Sequence, residues 1–335
     1  MKIALDAMGG DFGPDPLISG ADLAYRTFGT HPVLVGDRKI LEERIRALSL
    51  KAPFEIVDSK DVIAMTEKAS DVRRRRGSTV WMATELVKRK EVDGVVSAGH
   101  SGASLASAMW VLGRLDGVER PAIGTILPSL NGHFILVDGG ANVDCKPSHL
   151  VSFAHMGRVL ARHLFSKKDP RVFVLSNGEE ETKGNELVQR TIESLRESRV
   201  PWFSGPIESR DIFSGEADVV VCDGFVGNVV LKEAEGLAQT IIGMMREAAG
   251  ESLRSRIGGF LLRPSLSRMK KRLDYAEYGG APLLGVNGLF VISHGRSNSL
   301  AISNAMGMAD RLAKSGLTGT IAQDIAKIPT GGSLP

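Results

Sequence analysis

Cysteine is nearly absent: Cys145 and Cys222 are the only two in 335 residues, and they stand far apart. That excludes a disulfide-stapled fold and a cysteine-based zinc site, and it fits a reducing, cytosolic setting. No apolar run approaches the ~18 residues needed to span a bilayer. The opening KIALDAM carries no signal-peptide pattern. Excess charge is also lacking. A formal net charge of +3 leaves only local patches to meet a nucleic-acid backbone, so that task is excluded as the main one. Nucleotide fingerprints are missing too. There is no G-x-x-x-x-G-K-[ST]; TKGNE puts lysine before glycine, and GGDFG has adjacent glycines rather than G-x-G-x-x-G. GHSGA falls one residue short of the G-x-S-x-G elbow, and Ser101 beside His100 is no triad by adjacency.

What is present is a large core and a steady rhythm. Hydrophobic residues make up 43% of the chain, with no internal repeat. Apolar, β-branched runs of strand length (KIALDA, PVLVG, FEIVD, DGVVSA, AIGTIL, HFILVD, RVFVLS, DVVVCD and LFVISH) alternate with helix-length stretches. The helices are expected near 16–29, 38–49, 79–90, 101–114, 149–165, 184–197, 226–249 and 297–314. This order predicts an α/β sandwich: a mainly parallel sheet with helices on both faces, forming a single unit over 1–335. One segment breaks the rhythm. Residues 240–275 predict an extended helix, then one or two short helices broken near Gly258-Gly259 and Pro264. The tail PTGGSLP is expected to fray.

Ligands of a parallel sheet bind beyond the carboxyl ends of its strands. Here strand after strand ends in a small polar loop. The first, LDAMGGDFGPD, combines Gly9 and Gly10 with Asp6, Asp11 and Asp15. Others hold Gly99-His100-Ser101-Gly102, Asn142, Asn177, Asp223 with Gly227 and Asn228, and His294 with Arg296 and Ser297. Asp, Asn, Ser and Gly also make ordinary turns and caps. Their number points to one shared cleft at one rim. SAGHSGA and SHGRSNS each feed a helix start, where free N–H groups attract an anion. Arg296 adds a planar fork for phosphate oxygens, and Lys183 another cation. Asp11 or Asp15 is expected to cap the first helix. Cys145 is expected to be a structural thiol, and the strand-end aspartates Asp6, Asp11, Asp138, Asp144 and Asp223 serve as well for caps as for a metal. No metal site or cofactor is assigned.

Two segments are strongly basic. Arg73, Arg74, Arg75 and Arg76 run consecutively and read as a solvated loop or as a dock for an acidic partner or anionic substrate. Residues 252–273 hold Arg254, Arg256, Arg263, Arg268, Lys270, Lys271 and Arg272 without a carboxylate. Apolar Leu253, Ile257, Phe260, Leu261, Leu266, Met269 and Leu273 recur there at helical spacing, with Leu262 beside them. Such a basic amphipathic arm suits a membrane interface, an acidic partner or a dimer contact.

Together, ALDAMGGDFGP, SAGHSGA, LVDGGANVDCKPSHLVSFAHMG, LSNGEEETKGNEL, VCDGFVGNVVLKEAEG and GVNGLFVISHGRSN resemble the phosphate acyltransferase of bacterial phospholipid synthesis, the PlsX family. The resemblance covers essentially the whole chain, although many members carry Asn at the position of His100. It implies acyl transfer from acyl-[acyl carrier protein] to inorganic phosphate, feeding a membrane-bound glycerol-3-phosphate acyltransferase. It also implies a three-layer Rossmann-like fold similar to isocitrate and isopropylmalate dehydrogenases, a homodimer, and a cytoplasmic protein held peripherally on the inner membrane face.

That chemistry accounts for the missing nucleophile, because phosphate attacks an already activated thioester. The expected site has Arg296, Ser297 and Lys183 around phosphate, Asn228 polarising the carbonyl, His294 taking or orienting the phosphate proton, and Asp6 orienting a cation or the donor's pantetheine. Carrier protein is acidic, so the arginine run and the arm are expected docks. Rival readings are a short-chain phosphate acyltransferase using coenzyme A thioesters, a nicotinamide-dependent dehydrogenase, and a non-catalytic membrane scaffold for carrier protein.

Overall fold

The computed structural model describes residues 1–273 and 275–328, without the side chains at 270, 273 and 275. The Lys270 side chain and the 329–335 tail therefore lie outside the described residues. Among those described, eleven strands form one sheet: β1 (Lys2–Asp6), β2 (His31–Gly36), β3 (Glu55–Asp58), β4 (Gly94–Ser97), β5 (Ala122–Ser129), β6 (Gly132–Val137), β7 (Val172–Ser176), β8 (Phe203–Glu208), β9 (Val219–Val221), β10 (Ala281–Leu284) and β11 (Phe290–Ile292). The α-helices are α1 (Pro14–Phe28), α2 (Arg38–Ala47), α3 (Thr79–Lys88), α4 (Ser101–Ser107), α5 (Pro147–Phe165), α6 (Glu186–Glu197), α7 (Gly224–Gly250), α8 (Leu253–Leu273), α9 (Ser299–Lys314) and α10 (Leu317–Ile325). A 3₁₀ turn covers Ala69–Arg73, and α4 runs on into a π-helical turn, Ala108–Leu112.

Strand alternation builds the layers. Ile3 and Leu5 of β1, Ile135 and Val137 of β6, and Val219 and Val221 of β9 face one core, shared with α1, α5, α6, α9 and α10. The intervening Ala4 of β1 faces a second core under α3 and α4. Phe134 and Leu136 of β6 and Val220 of β9 face a third, closed by the first turns of α7. Helices thus cover both faces of a mainly parallel sheet, and each large side chain so buried stabilises the fold by roughly 1.5–3 kcal/mol. Helices α1 and α9 lie especially close: a Cβ on Gly20 would stand 2.5 Å from the Ile302 Cβ. That contact holds the start of α9 beside the loop that follows β1.

The sheet order is β3-β2-β1-β4-β11-β10-β5-β6-β9-β7-β8. The first five strands run parallel to one another, as do the last four. Between them the direction reverses at three antiparallel joints, β11–β10, β10–β5 and β5–β6. An odd number of reversals turns the second set upside down. The expectation of one shared rim is therefore corrected: β1, β4 and β11 end at one rim, while β6, β7 and β9 end at the opposite one.

Two strands and a helix escaped the sequence pattern. Strand β8 carries Gly205 at φ 111 and Pro206, turn-forming residues that an edge strand tolerates. Strand β10 is four residues long and contains Pro282 between glycine-rich flanks. The expected breaks in 240–275 are also corrected, since α8 passes unbroken through Gly258, Gly259 and Pro264. The proline removes one N–H but its φ is helical, and a Cβ on Gly259 would stand 3.0 Å from the Ala249 Cβ of α7. Most side chains of both helices beyond Lys232 are exposed, with Phe260 and Leu261 each at 72%. The base of α8 is tied down by Arg272, whose Nη2 donates to the carbonyls of Ser129 at 3.1 Å and Leu130 at 3.2 Å. Among the described residues no helix is long and apolar enough to cross a membrane.

Candidate active site

Three loops knit together at the rim where β1, β4 and β11 end. Asp6, at the end of β1, is 2% exposed, and the Ser97 hydroxyl at the end of β4 donates to its Oδ2 at 2.8 Å. The same hydroxyl accepts from Gly99 N–H at 3.2 Å, so one serine ties the carboxylate to the next loop. Gly9 closes over this pair: a Cβ there would stand 2.7 Å from Asp6 Oδ2 and 2.9 Å from the Gly99 Cα. Only glycine allows that approach. Gly10 has ordinary room above Leu17. On the other side, Asp11 N–H donates to the Gly295 carbonyl at 2.9 Å, joining the first loop to the one after β11.

Burial is the main influence on Asp6 and pushes its carboxyl above the ordinary value, against the hydrogen bonds from Thr79, Ser97 and the Met8 backbone. Its Oδ1 is buried without a hydrogen-bond partner. The carboxylate thus lies beneath the loops, held to β4 through Ser97. Lys183 follows β7, which ends at the opposite rim, so the expected part of Asp6 in orienting Lys183 is corrected within one chain.

The loop after β11 presents the cation. Ser297 N–H donates to the His294 carbonyl at 2.9 Å, closing a turn, and the hydroxyls of Ser293 and Ser297 bond each other at 2.8 Å beneath it. Ser297 is buried, and its hydroxyl ties the turn to Ser293. Arg296 and His294 are exposed at the tip. His294 Nδ1 accepts from the Arg296 N–H at 3.1 Å. His100 does likewise: its Nδ1 accepts from Ala103 N–H at 3.2 Å and caps α4. An Asn oxygen would fill such a cap equally well. Ser101 opens α4, and Gly102 packs beside Ala69.

The expected cap of the first helix, Asp11 or Asp15, is corrected. Helix α1 begins at Pro14 with Gly13 as its N-cap and no side-chain cap, while Asp15 pairs with Arg44. Asp11 instead lies against Gly295, whose Cβ would meet its Oδ1 at 2.8 Å.

The remaining predicted residues form a second group at the opposite rim. Asp138 is fully buried and accepts from Ile123, Gly140, Ala141 and Asn142 N–H groups, and from the Asn142 amide at 2.9 Å. Asp223 caps α7 through Val226 N–H at 2.9 Å. Gly227 is pressed against the Asp138 carbonyl, and Asn228 lies beside Gly140. Asn177 Oδ1 accepts from Gly184 N–H at 2.8 Å, and exposed Lys183 folds over Gly178 of the same loop. From β11 to β6 is three strand steps, about 14 Å, besides the reversal of direction. Within one chain Lys183 and Asn228 therefore stand apart from Arg296, which corrects the single cluster expected. Burial first, then Asp138 and Asp223, push the Cys145 thiol up to about 12. Cys222 is displaced upward for the same reasons, burial foremost. Among the described residues no group of three or more His, Cys, Asp or Glu gathers as a metal site.

Sequence reasoning missed Ser97 and Ser293, which sit in the strand ends VVSA and VISH. It also missed the apolar residues around the turn: Phe12 beside Asp11, Met65 against Gly295, and Leu300 in the first turn of α9, all exposed. The first rim thus pairs an exposed guanidinium with an apolar lip, an arrangement suited to a ligand that is anionic at one end and greasy at the other.

The family model described as fatty acid synthesis protein matches residues 1–319. The phosphate acyltransferase of Thermodesulfovibrio yellowstonii is 45% identical over 326 residues, 97% of this chain and 94% of that protein. That of Geobacter sulfurreducens is 47% identical over 325 residues, 96% of this chain and 94% of that protein. Among solved structures, the EutD phosphotransacetylase from Staphylococcus aureus matches with a TM-score of 0.62 at 18% identity, covering 93% of this chain and 94% of that one, a likeness of fold.

Proposed function

The chain belongs to the fatty acid synthesis protein family of phosphate acyltransferases, and on that premise we propose that it moves a fatty acyl group from an acyl carrier protein thioester to inorganic phosphate for phospholipid synthesis. The observation that carries this reading is the pairing of the Arg296 turn with Phe12, Met65 and Leu300 at one rim.

A phosphate oxygen attacks the thioester carbonyl carbon, the C–S bond breaks, and the acyl phosphate leaves as the carrier thiolate takes up a proton. Phosphate at neutral pH already presents unprotonated oxygens, so no side-chain base is needed. A thiol of pKa ~8.5 is a capable leaving group. What the protein supplies is position and charge. Arg296 holds phosphate in a planar fork. The imidazole Nε2–H groups of His294 and His100 and the backbone N–H groups opening α9 complete the anion site. The Gly9–Gly99 contact keeps the loops at a fixed spacing, and Phe12, Met65 and Leu300 receive the acyl chain.

The partners of this reading are acyl carrier protein, a second copy of the chain, the inner membrane surface and a membrane-bound glycerol-3-phosphate acyltransferase. The exposed apolar and cationic residues of α8, among them Arg254, Arg256, Phe260, Leu261, Leu262 and Lys271, support attachment to an anionic surface. The test is incubation of the pure protein with phosphate and either acyl-carrier protein or acyl-coenzyme A, trapping acyl phosphate as the hydroxamate. Carrier-dependent, phosphate-dependent hydroxamate is expected. Turnover of the coenzyme A donor alone would replace the reading with the short-chain alternative.

A further inference from the structure

The four arginines at 73–76 are not one solvated run. Arg75 is committed internally: it pairs with Asp61, and with Glu67 at 2.5 Å. Arg73 and Arg76 are exposed and seated on tryptophans, Arg73 at 4.2 Å over Trp110 and Arg76 at 5.9 Å over Trp81. Among the described residues no carboxylate pairs with either of them. Together with Glu85, Lys88 and Val111 they line a cleft of about 250 Å³. Its single carboxylate is already occupied, since Glu85 accepts from Trp81 Nε1 at 3.1 Å and from Arg89 Nη2 at 2.6 Å. The cleft therefore offers three cations and two indoles, with Trp110 54% exposed.

Stacking fixes the faces of both guanidiniums and leaves their N–H edges for an incoming carboxylate. Exposed Trp beside Arg is the chemistry of a protein-binding hot spot. Its place in the fold matters equally. The 3₁₀ turn that carries Arg73 starts at Ala69, against Gly102 at the rim, where a Cβ would stand 2.9 Å away. Trp110 lies eight residues further along the same helical rod, about 12 Å from Gly102 at ~1.5 Å per residue. A protein seated on the cleft would thus need a flexible arm of roughly that length to deliver a thioester to the rim.

We propose that this cleft is the docking face for the acidic protein that carries the acyl thioester, with Arg73 and Arg76 meeting carboxylates on one of its helices. The proposal rests on the carrier-protein reading of the donor. The test measures steady-state kinetics of Arg73→Glu/Arg76→Glu with acyl-carrier protein and with acyl-pantetheine, and the affinity for unacylated carrier protein by anisotropy. A second protein, Arg162→Glu/Lys168→Glu, makes the same charge change at exposed residues elsewhere. Expected is at least a tenfold rise in KM and Kd for the carrier with the first variant. Its kcat, its acyl-pantetheine kinetics and the second variant should stay at the wild-type level. An unchanged KM and Kd, or equal rises in both variants or with both donors, overturns the docking face. Wild-type protein that neither binds nor turns over the carrier overturns instead the donor reading beneath it.

Discussion

Gly9 and Gly99 meet backbone against backbone above the Asp6 carboxylate, so close that a Cβ on Gly9 would stand 2.9 Å from the Gly99 Cα. Neither backbone can yield as a flexible side chain would. Gly9→Ala must push the first loop off the second, at a typical cost of about 1–3 kcal/mol. We expect a lower thermal midpoint, and a turnover loss of tenfold or more in protein that remains folded at the assay temperature. Unfolding curves and kcat measured together check this.

The buried Asp6 gives a pH dependence of definite sign. Burial raises its folded-state pKa above the ordinary value of 3.8. Between those two values the folded state holds more protons than the unfolded state, so stability from this group falls as pH rises through the window. Asp6→Asn removes the titration. Its melting temperature should exceed the wild-type value at pH 8, and the gap should shrink as pH approaches 4. Melting curves from pH 4 to 8 read it directly, and a constant gap would place the pH dependence elsewhere.

Much of the fold was legible because buried strands announce themselves: VVSA, FILV and VVVC cannot be anything exposed. Strand direction was not legible. A run such as AIGTIL carries no sign of whether it lies parallel or antiparallel to its neighbour, and the short β10 with Pro282 carries no strand signal at all. Those two strands reverse the sheet, so residues that looked like one cluster became two. Arg296 and the glycine loops could be found from turn chemistry. Ser97 and Ser293 could not, because a serine ending a strand looks the same whether it caps, packs or ties a carboxylate.

The thiols make a negative prediction. With its pKa pushed up to about 12, Cys145 is thiolate in only about one molecule in 10⁵ at pH 7. Cys145→Ala should keep kcat within about twofold, and iodoacetamide at pH 7 should leave activity intact. Rapid inactivation that the substitution abolishes would restore a covalent role.

Helix α8 predicts attachment to an anionic surface. Leu261 and Leu262 are 72% and 57% exposed. Burying one such side chain is worth roughly 1.5–3 kcal/mol. Leu261→Glu/Leu262→Glu should therefore weaken sedimentation with phosphatidylglycerol vesicles by about a hundredfold, with kcat on the carrier donor in solution unchanged. Equal sedimentation of variant and wild type would remove the membrane role from this helix.

The claim on which the rest depends is that phosphate is held at the rim by Arg296. The most direct measurement is the phosphate KM of Arg296→Lys, set beside that of Lys183→Ala. A charge-assisted hydrogen bond is worth roughly 1.5–3 kcal/mol, so losing the planar fork should raise the phosphate KM of the first variant about ten- to a hundredfold, with the donor KM unchanged. Lys183→Ala, at the opposite rim, should leave the phosphate KM as it was. A normal phosphate KM in Arg296→Lys and a raised one in Lys183→Ala would contradict the account and move the anion to the other end of the sheet.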